Sequence, residues 1–446
     1  MTSTTEKQTY PLTSSQREFW FRQKQHPNLP MYNIGGYLDI PGEIDTNVFN
    51  EAVNLLIQKH DNLRTRLLAT KNDIEAPNQI YTSHSTVTVP IHDLSAESDP
   101  YSTALAWMQP QFETPFKLTK KPLFHYNLLK LAKDRYFWFF KYHHLIIDGW
   151  GIALLNHSLA GLYDALIKNQ TPNLQAPSYT KWIRQDQSYV KSEAFQKDRA
   201  YWIKQYANIP EPLLIPRYRS QHTSKPISNG CEPLSLPHTL YQKLDKFAQT
   251  HQANFFHVFI GILYVYFTYT AQRDEFVIGF PLLNRANAEF KKTAGLFMSV
   301  SPVRFNLGRE LNFIELIQKI SIILKSHYRH QRFPTEKLNQ GICLEKHRAQ
   351  LFDILLSYES HDYNTCFGGI SSHLTELLHP WKKIELMISM RDFRNKNGIN
   401  SNFIYNQAYF NAAEIRMLQA QLIHLLKNIT EHSSTPIYQI RMLLLT

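Results

Sequence analysis

Hydrophobic and polar positions along the chain fall into two rhythms, segments of helical period interleaved with short continuous apolar runs. The first half predicts a helix from about Ser14, a strand near Tyr32–Ile40, a helix near Val48–Gln58, two strands between Leu123 and Tyr142, and a helix after Gly151 carried by Ile152, Leu154, Leu155, Leu159 and Leu162. Pro172–Pro177 reads as a linker, followed by a long helical pattern over Tyr179–Tyr206 and a second polar, proline-containing stretch at Ile209–Gly230. Helices at Leu240–Ala248 and Phe255–Thr270, a strand at Phe276–Phe280, a helix at Phe313–Arg329, strands at Leu351–Tyr358, Ile384–Met390 and Ser401–Tyr405, and a helix at Ala412–Lys427 complete the pattern. Such alternation is that of an α/β protein, here in two halves, residues 1–175 and 176–446.

Composition narrows the class. With 446 residues, 43% hydrophobic and 13% aromatic, the chain can bury two sizeable cores. The longest apolar stretch, Phe255 to Phe267, is too short to span a bilayer and reads as a buried helix; Met1 to Tyr10 has no apolar signal core. No membrane association is expected. Cys231, Cys343 and Cys366 are too dispersed for a disulfide framework or a Cys-x-x-Cys metal site, which fits a reducing cytoplasm. The formal charge of +11 comes without zinc-knuckle spacing or a dense Lys/Arg block, so nucleic acid is not an expected partner. Lys117, Lys120, Lys121, Lys291 and Lys292 are candidates for a face that docks an acidic protein. No Gly-rich nucleotide loop is present, so ATP-driven chemistry is not expected of this chain.

The strongest chemical signal is Tyr142-His143-His144-Leu145-Ile146-Ile147-Asp148-Gly149-Trp150, directly behind the apolar run Tyr136 to Phe140. Extended backbone sends adjacent side chains to opposite faces, so one histidine can pack while its neighbour faces a cavity. Asp148 suits an orienting or ion-pairing role, and Gly149 is expected to take a backbone conformation closed to other residues. A histidine beside an apolar strand is more often packed than catalytic; the complete string, with a helix behind it, moves the balance to catalysis. Metal binding ranks last, because adjacent histidines lack the spacing that puts two on one helix face. His327 and His330 lie at i, i+3, but an exposed helix face is the expected setting and no third ligand is suggested.

The string His143-His144-x-x-x-Asp148-Gly149 resembles the third motif of the condensation domains of nonribosomal peptide synthetases, members of the chloramphenicol acetyltransferase-like superfamily. Other stretches are similar to further motifs in the same order: Leu12 to Trp20, Lys59 to Leu67, Ser178 to Trp182, the region of Pro281, Asn284-Arg285 and Gly295 to Val300, and His330 to Pro334. The fifth region departs from the usual Gly-x-Phe-Val-Asn-Thr at Met298-Ser299-Val300, which bears on the acceptor side of the site. The basic and Asn-Pro residues of the seventh motif are not evident before Leu351 to Ile354.

The resemblance implies two acyltransferase-like lobes in a V, with the active site between them, and an enzyme forming an amide from a carrier-bound acyl or peptidyl thioester and an amine. It places the catalytic set at His144, His143, Asp148 and Gly149, with His144 as base or positioning group and His143 as its buried structural neighbour. Asp148 would pair with Arg285 from the second lobe, Arg64 would be a structural anchor, and Trp150 and Ser299 would contact substrate. Backbone amides around Gly149 and Trp150 could stabilise an oxyanion. No tightly bound cofactor is expected; the phosphopantetheine arm would arrive on a partner carrier protein, with a soluble amine or an acceptor carrier on the other side. The short run before the first motif suggests a free-standing enzyme. Three alternatives stay open: a coenzyme A-dependent O- or N-acyltransferase, an epimerising relative, and a non-catalytic docking domain.

Overall fold

The computed structural model describes residues 8–69, 75–83, 86–120, 122–218, 228–344, 350–360, 363–381, 384–392 and 398–440. Helices and strands are mixed throughout, an α/β architecture. The chain divides into two compact units, one comprising Met1–Ser192, Leu283–Met298 and Asp362–His379, the other Glu193–Leu282, Ser299–His361 and Pro380–Thr446. This differs from a single break after residue 175. Two segments from the second half pack into the first unit, because their hydrogen-bond partners are there.

The first unit holds a five-stranded sheet in the spatial order His373–Glu376, Asn33–Ile40, Arg135–His143, Phe124–Ala132, Ile91–Asp93. The central strand is buried along almost its whole length, and it runs antiparallel to Asn33–Ile40 with Asn33 opposite His143. Near-continuous apolar sequence is what a strand covered on both faces requires. One covering layer is the helix Pro100–Glu113, which packs Ala104, Met108 and Phe112 against Tyr37, Leu129, Phe137 and Phe139. The apolar and polar pattern assigned nothing there. Pro110 lies inside this helix, and proline ordinarily argues against a helix interior.

The second unit is built on a six-stranded sheet in the order Ser299–Asn306, Glu275–Leu282, Ile354–Glu359, Leu386–Asp392, Ile399–Asn406, Asn229–Leu236. The pairs on either side of Ile354–Glu359 are parallel, the remainder antiparallel. The strand Ser299–Asn306 was also absent from the sequence pattern; it carries Pro302 and lies at the sheet edge, where a missing N–H is tolerated. Phe255–Thr270 is a buried helix, packed with Phe313–Arg329 and Ala412–Asn428 around the core. The helical pattern over Tyr179–Tyr206 resolves into two helices, Thr180–Val190 and Glu193–Gln205, and the boundary between the units falls in the turn joining them. No single helix among the described residues is long and apolar enough to cross a membrane; His238–Thr250 and Phe255–Thr270 reach that length and apolarity only as a pair bent by 97°.

Candidate active site

The strand Arg135–His143 ends at His143, and the next residue, His144, opens a single 3-10 turn, His144–Ile146. The change from strand to turn separates the two imidazoles. His143 is 1% exposed, whereas His144 is only partly buried, with its ring centroid 4.8 Å from that of Phe19. Burial pushes the His143 imidazole down to about 3, with the neighbouring His144 acting in the same direction. His143 is therefore neutral, and its Nδ1 caps the turn by accepting from the Leu145 amide at 3.1 Å.

Five backbone groups of this short turn have named partners, the Leu145 amide on His143 among them. The His144 amide donates to the Tyr32 carbonyl at 2.8 Å, and the His144 carbonyl accepts from Ile147 at 3.3 Å. The Leu145 carbonyl accepts from Gln16 Nε2 at 3.2 Å, and the Ile146 carbonyl from Asn62 Nδ2 at 3.2 Å. Gln16 is itself fixed by reciprocal amide bonds with Gln79 and by its capping box with Thr13. A buried backbone group without a partner would be costly, so such pairing makes the turn a rigid mount for the His144 ring.

Asp148 is the N-cap of the helix Gly149–Ile167 and accepts from the Gly151 amide at 2.9 Å. The same carboxylate takes Arg285 through Nη1 to Oδ2 at 2.7 Å and Nη2 to Oδ1 at 3.0 Å, together with the amides of Phe297 at 3.0 Å and Met298 at 3.3 Å. Asp148 and Arg285 are 2% and 4% exposed. Desolvation alone would raise the Asp148 carboxyl; the Arg285 charge and the hydrogen bonds from Arg285, Phe297 and Gly151 overcome it and hold the group below its ordinary value. Arg285 also donates to the carbonyls of Phe290 and Gly295 and lies 4.2 Å from the Phe297 ring centroid. Asp148 and Arg285 belong to the same unit, since Arg285 is on the Leu283–Met298 segment.

That segment rests on an aromatic platform. Trp182 packs against Phe290 and Phe297, Tyr179 against Phe297, and the Tyr179 hydroxyl donates to the Leu296 carbonyl. Gly295 makes room for Tyr179, because a Cβ there would sit 2.2 Å from the ring. Asp61 in turn holds the start of the following helix, accepting from Ser178 Oγ at 2.5 Å and the Tyr179 amide at 3.0 Å.

The remaining candidates divide. Arg64 donates to the carbonyls of Ile57 at 3.2 Å and Thr82 at 2.9 Å, the geometry of an anchor. Trp150 donates its indole N–H to the Lys291 carbonyl at 2.8 Å. Gly149 carries ordinary helical backbone and is not among the glycines with positive φ, so the expected special conformation is absent; as first residue of the helix it needs none. Ser299 opens a strand of the second unit opposite Leu282. His327 is not on an exposed face: it is buried with Nδ1 2.8 Å from the Ile323 carbonyl, because its side of the helix packs on Tyr201 and Trp202. His330 Nδ1 lies 2.7 Å from Asp198 Oδ1. Among the described residues no group of three or more His, Cys, Asp or Glu side chains could hold a metal. Lys117, Lys120, Lys291 and Lys292 are exposed, and Lys121 lies outside the described residues.

Gln16, Gln23, Asn62 and Asp61 were not singled out from sequence. Gln16, Trp20 and Gln23 form the buried face of the helix Ser14–Gln25, at i, i+4 and i+7. Glutamines on an otherwise buried face are the signal that could have found them, since a buried amide must hydrogen-bond something.

The chain is similar to known proteins over nearly its whole length. A dimodular nonribosomal peptide synthase of Bacillus subtilis (strain 168) is 28% identical over 436 residues, covering 98% of this chain and 18% of the synthase. Tyrocidine synthase 3 of Brevibacillus parabrevis is 23% identical over 441 residues, covering 97% of this chain and 6% of that synthase. The chain thus spans less than a fifth of the length of these synthetases. A variant of the starter condensation domain of rhizomide synthetase, in complex with C8-CoA, superposes with a TM-score of 0.85 at 27% identity, covering 98% of each chain. The first condensation domain of the calcium-dependent antibiotic synthetase, at 21% identity and a TM-score of 0.84, bears on the fold alone. Matched by the condensation domain model over residues 6–445, the chain belongs to the condensation domain family, the amide-forming acyltransferases of nonribosomal peptide synthesis.

Proposed function

We propose that this chain joins an acyl or peptidyl thioester to an amine, with the thioester presented on the phosphopantetheine arm of a carrier protein. One observation carries the assignment of the site: the turn His144–Ile146 is held through five of its backbone groups and mounts the partly buried His144 on a rigid strand end. In the reaction the amine lone pair adds to the thioester carbonyl carbon and a C–N bond forms. The nitrogen then gives up a proton, the C–S bond breaks, and the sulfur leaves as thiol after taking a proton. His144 receives the proton from nitrogen or holds the amine in line with the carbonyl; a positioned base of this kind is worth about 10²–10⁴-fold in rate. Asp148 and Arg285 act at one remove, fixing the start of the helix Gly149–Ile167 whose first amides face developing oxyanion charge in this scheme. The Gly151 amide is already bound to Asp148 and is not counted among them.

A coenzyme A thioester as donor is a second reading, favoured by the rhizomide synthetase domain solved with C8-CoA and by another of its variants solved with C8-CoA and Leu-SNAC. Incubation of the chain with an amine and either an acylated carrier protein or the matching free coenzyme A ester separates the two, with amide product followed by mass spectrometry. Turnover with the carrier-bound donor at well above the rate with the free ester supports the leading proposal. A preference for the free ester supports the second, and no amide with either donor, for a free or a carrier-bound amine, sinks both.

A further inference from the structure

Gln23 has no part in the reaction as derived so far, yet its hydrogen bonds decide a proton position next to His144. Its side-chain nitrogen donates to the carbonyls of His26 at 2.8 Å and Leu29 at 3.0 Å. Carbonyls can only accept, so the nitrogen end of the amide must face them, and the oxygen end faces His143 Nε2 at 3.3 Å. The same answer comes from the other side of the ring. The Leu145 amide can only donate, and it is aimed at His143 Nδ1. A neutral imidazole carries one proton, so a bare Nδ1 requires Nε2–H, and Gln23 Oε1 accepts it. Burial keeps the ring neutral, as the depression to about 3 indicates, so it has no doubly protonated form with which to escape the choice.

We propose that Gln23 is a positioning residue for the condensation reaction: it selects the Nε2–H tautomer of His143, and that tautomer holds the Leu145 amide and the turn that presents His144. The role rests on His144 being the active imidazole. With the opposite tautomer, Nδ1–H would confront the Leu145 N–H, two donors would oppose each other in a buried place, and the turn would have to move. A shift of this kind at a mount for a reacting group costs rate far more than it costs binding.

The test uses the full chain with isotope-labelled histidine and an amide-formation assay. The two-bond proton–nitrogen spectrum of His143, assigned by its absence in His143→Asn, is expected to show a protonated Nε2 and a bare Nδ1; a protonated Nδ1 overturns the proposal. Gln23→Leu is expected to lower kcat about tenfold or more while KM changes less than about threefold. In a His143→Asn background, where Oδ1 can still accept from Leu145 but no tautomer is left to select, adding Gln23→Leu should cost less than about twofold further. Additive losses would mean that Gln23 acts only by tying down residues 26–29, and would overturn the proposal. If Gln23→Leu does not fold, His143→Asn against His143→Gln decides, since glutamine reaches the Nε2 position but leaves Leu145 without an acceptor: equal activities sink the idea, and a defect confined to glutamine supports it. Wild-type activity in His144→Ala would remove the active-imidazole assignment by itself, and the His143 spectrum would still report the tautomer.

Discussion

Arg285 meets both carboxylate oxygens of Asp148 with both terminal nitrogens of its guanidinium, at 2.7 Å and 3.0 Å, and neither side chain has appreciable solvent contact. A paired charge at this depth is valuable chiefly because removing one member strands the other. Asp148→Ala should therefore lower unfolding free energy by about 3–5 kcal/mol and activity with it. Replacing both residues with apolar side chains, as in Asp148→Leu with Arg285→Met, should recover only part of the stability, because the amides of Gly151, Phe297 and Met298 and the carbonyls of Phe290 and Gly295 still lose their partners, and it should not restore turnover. Urea midpoints for the single and double variants, read beside amide formation, check both statements; unchanged stability with lost turnover in Asp148→Ala would place Asp148 directly on substrate.

Buried neutral histidines set an acid limit on stability. His143 and His60 are both held down to about 3 by burial, against an ordinary value of 6.5. Between these values the unfolded chain binds protons that the folded chain refuses, so stability is full above about pH 6.5 and falls on acidification, by roughly 1.4 kcal/mol per pH unit for each such group. Urea titrations at stepped pH values should show this slope, and His143→Asn should reduce it by about one proton. An unchanged slope in that variant would mean that His143 is protonated in the folded protein.

His144→Ala should leave the fold in place, because the residue is only partly buried and its backbone bonds do not depend on the side chain. Turnover should drop by about 10²–10⁴-fold, with the thermal midpoint little changed. Single-turnover mass spectrometry with a fixed donor and amine reads the first quantity, and calorimetry the second.

Gly295→Ala places a methyl group against the Tyr179 ring, 2.2 Å from its Cδ2. Backbone on one side and a fully buried ring on the other leave little freedom to relax, and about 1–3 kcal/mol of stability should be lost. Since Gly295, Phe297 and Met298 all bond to Asp148 or Arg285, activity should fall as well. The Tyr179→Phe variant separates the causes: it removes the hydroxyl, with its bond to the Leu296 carbonyl and its interaction with Thr13, so it should lose stability without crowding.

Long apolar signals made much of the fold legible in the sequence. The helices Phe255–Thr270 and Phe313–Arg329 coincide with their patterns, and the central strand is where its aromatic run lies. Segments whose identity depends on tertiary packing were not legible: the helix containing Pro110 and the edge strand containing Pro302 both break a local rule that burial or an edge position excuses. At the site, His143, His144 and Asp148 were evident because they sit in one short string. Gln16, Gln23, Asn62 and Asp61 were not, since each acts through a bond to residues at least 84 positions away or, for Gln16, Gln23 and Asp61, more than a hundred.

The late arrival of Leu283–Met298 and Asp362–His379 has a bearing on how the protein is made. A nascent chain that has emerged as far as residue 192 contains the motif string, the central strand and the helix behind them, but neither Arg285 nor the strand His373–Glu376. In that state the Asp148 carboxylate has the Gly151 amide and lacks its cation, and the edge of Asn33–Ile40 that later pairs with His373–Glu376 stands open. Pairings over such sequence distances form late and slowly, and an open edge invites association with other chains meanwhile. Truncation after residue 192 should therefore yield aggregating material rather than a smaller working lobe.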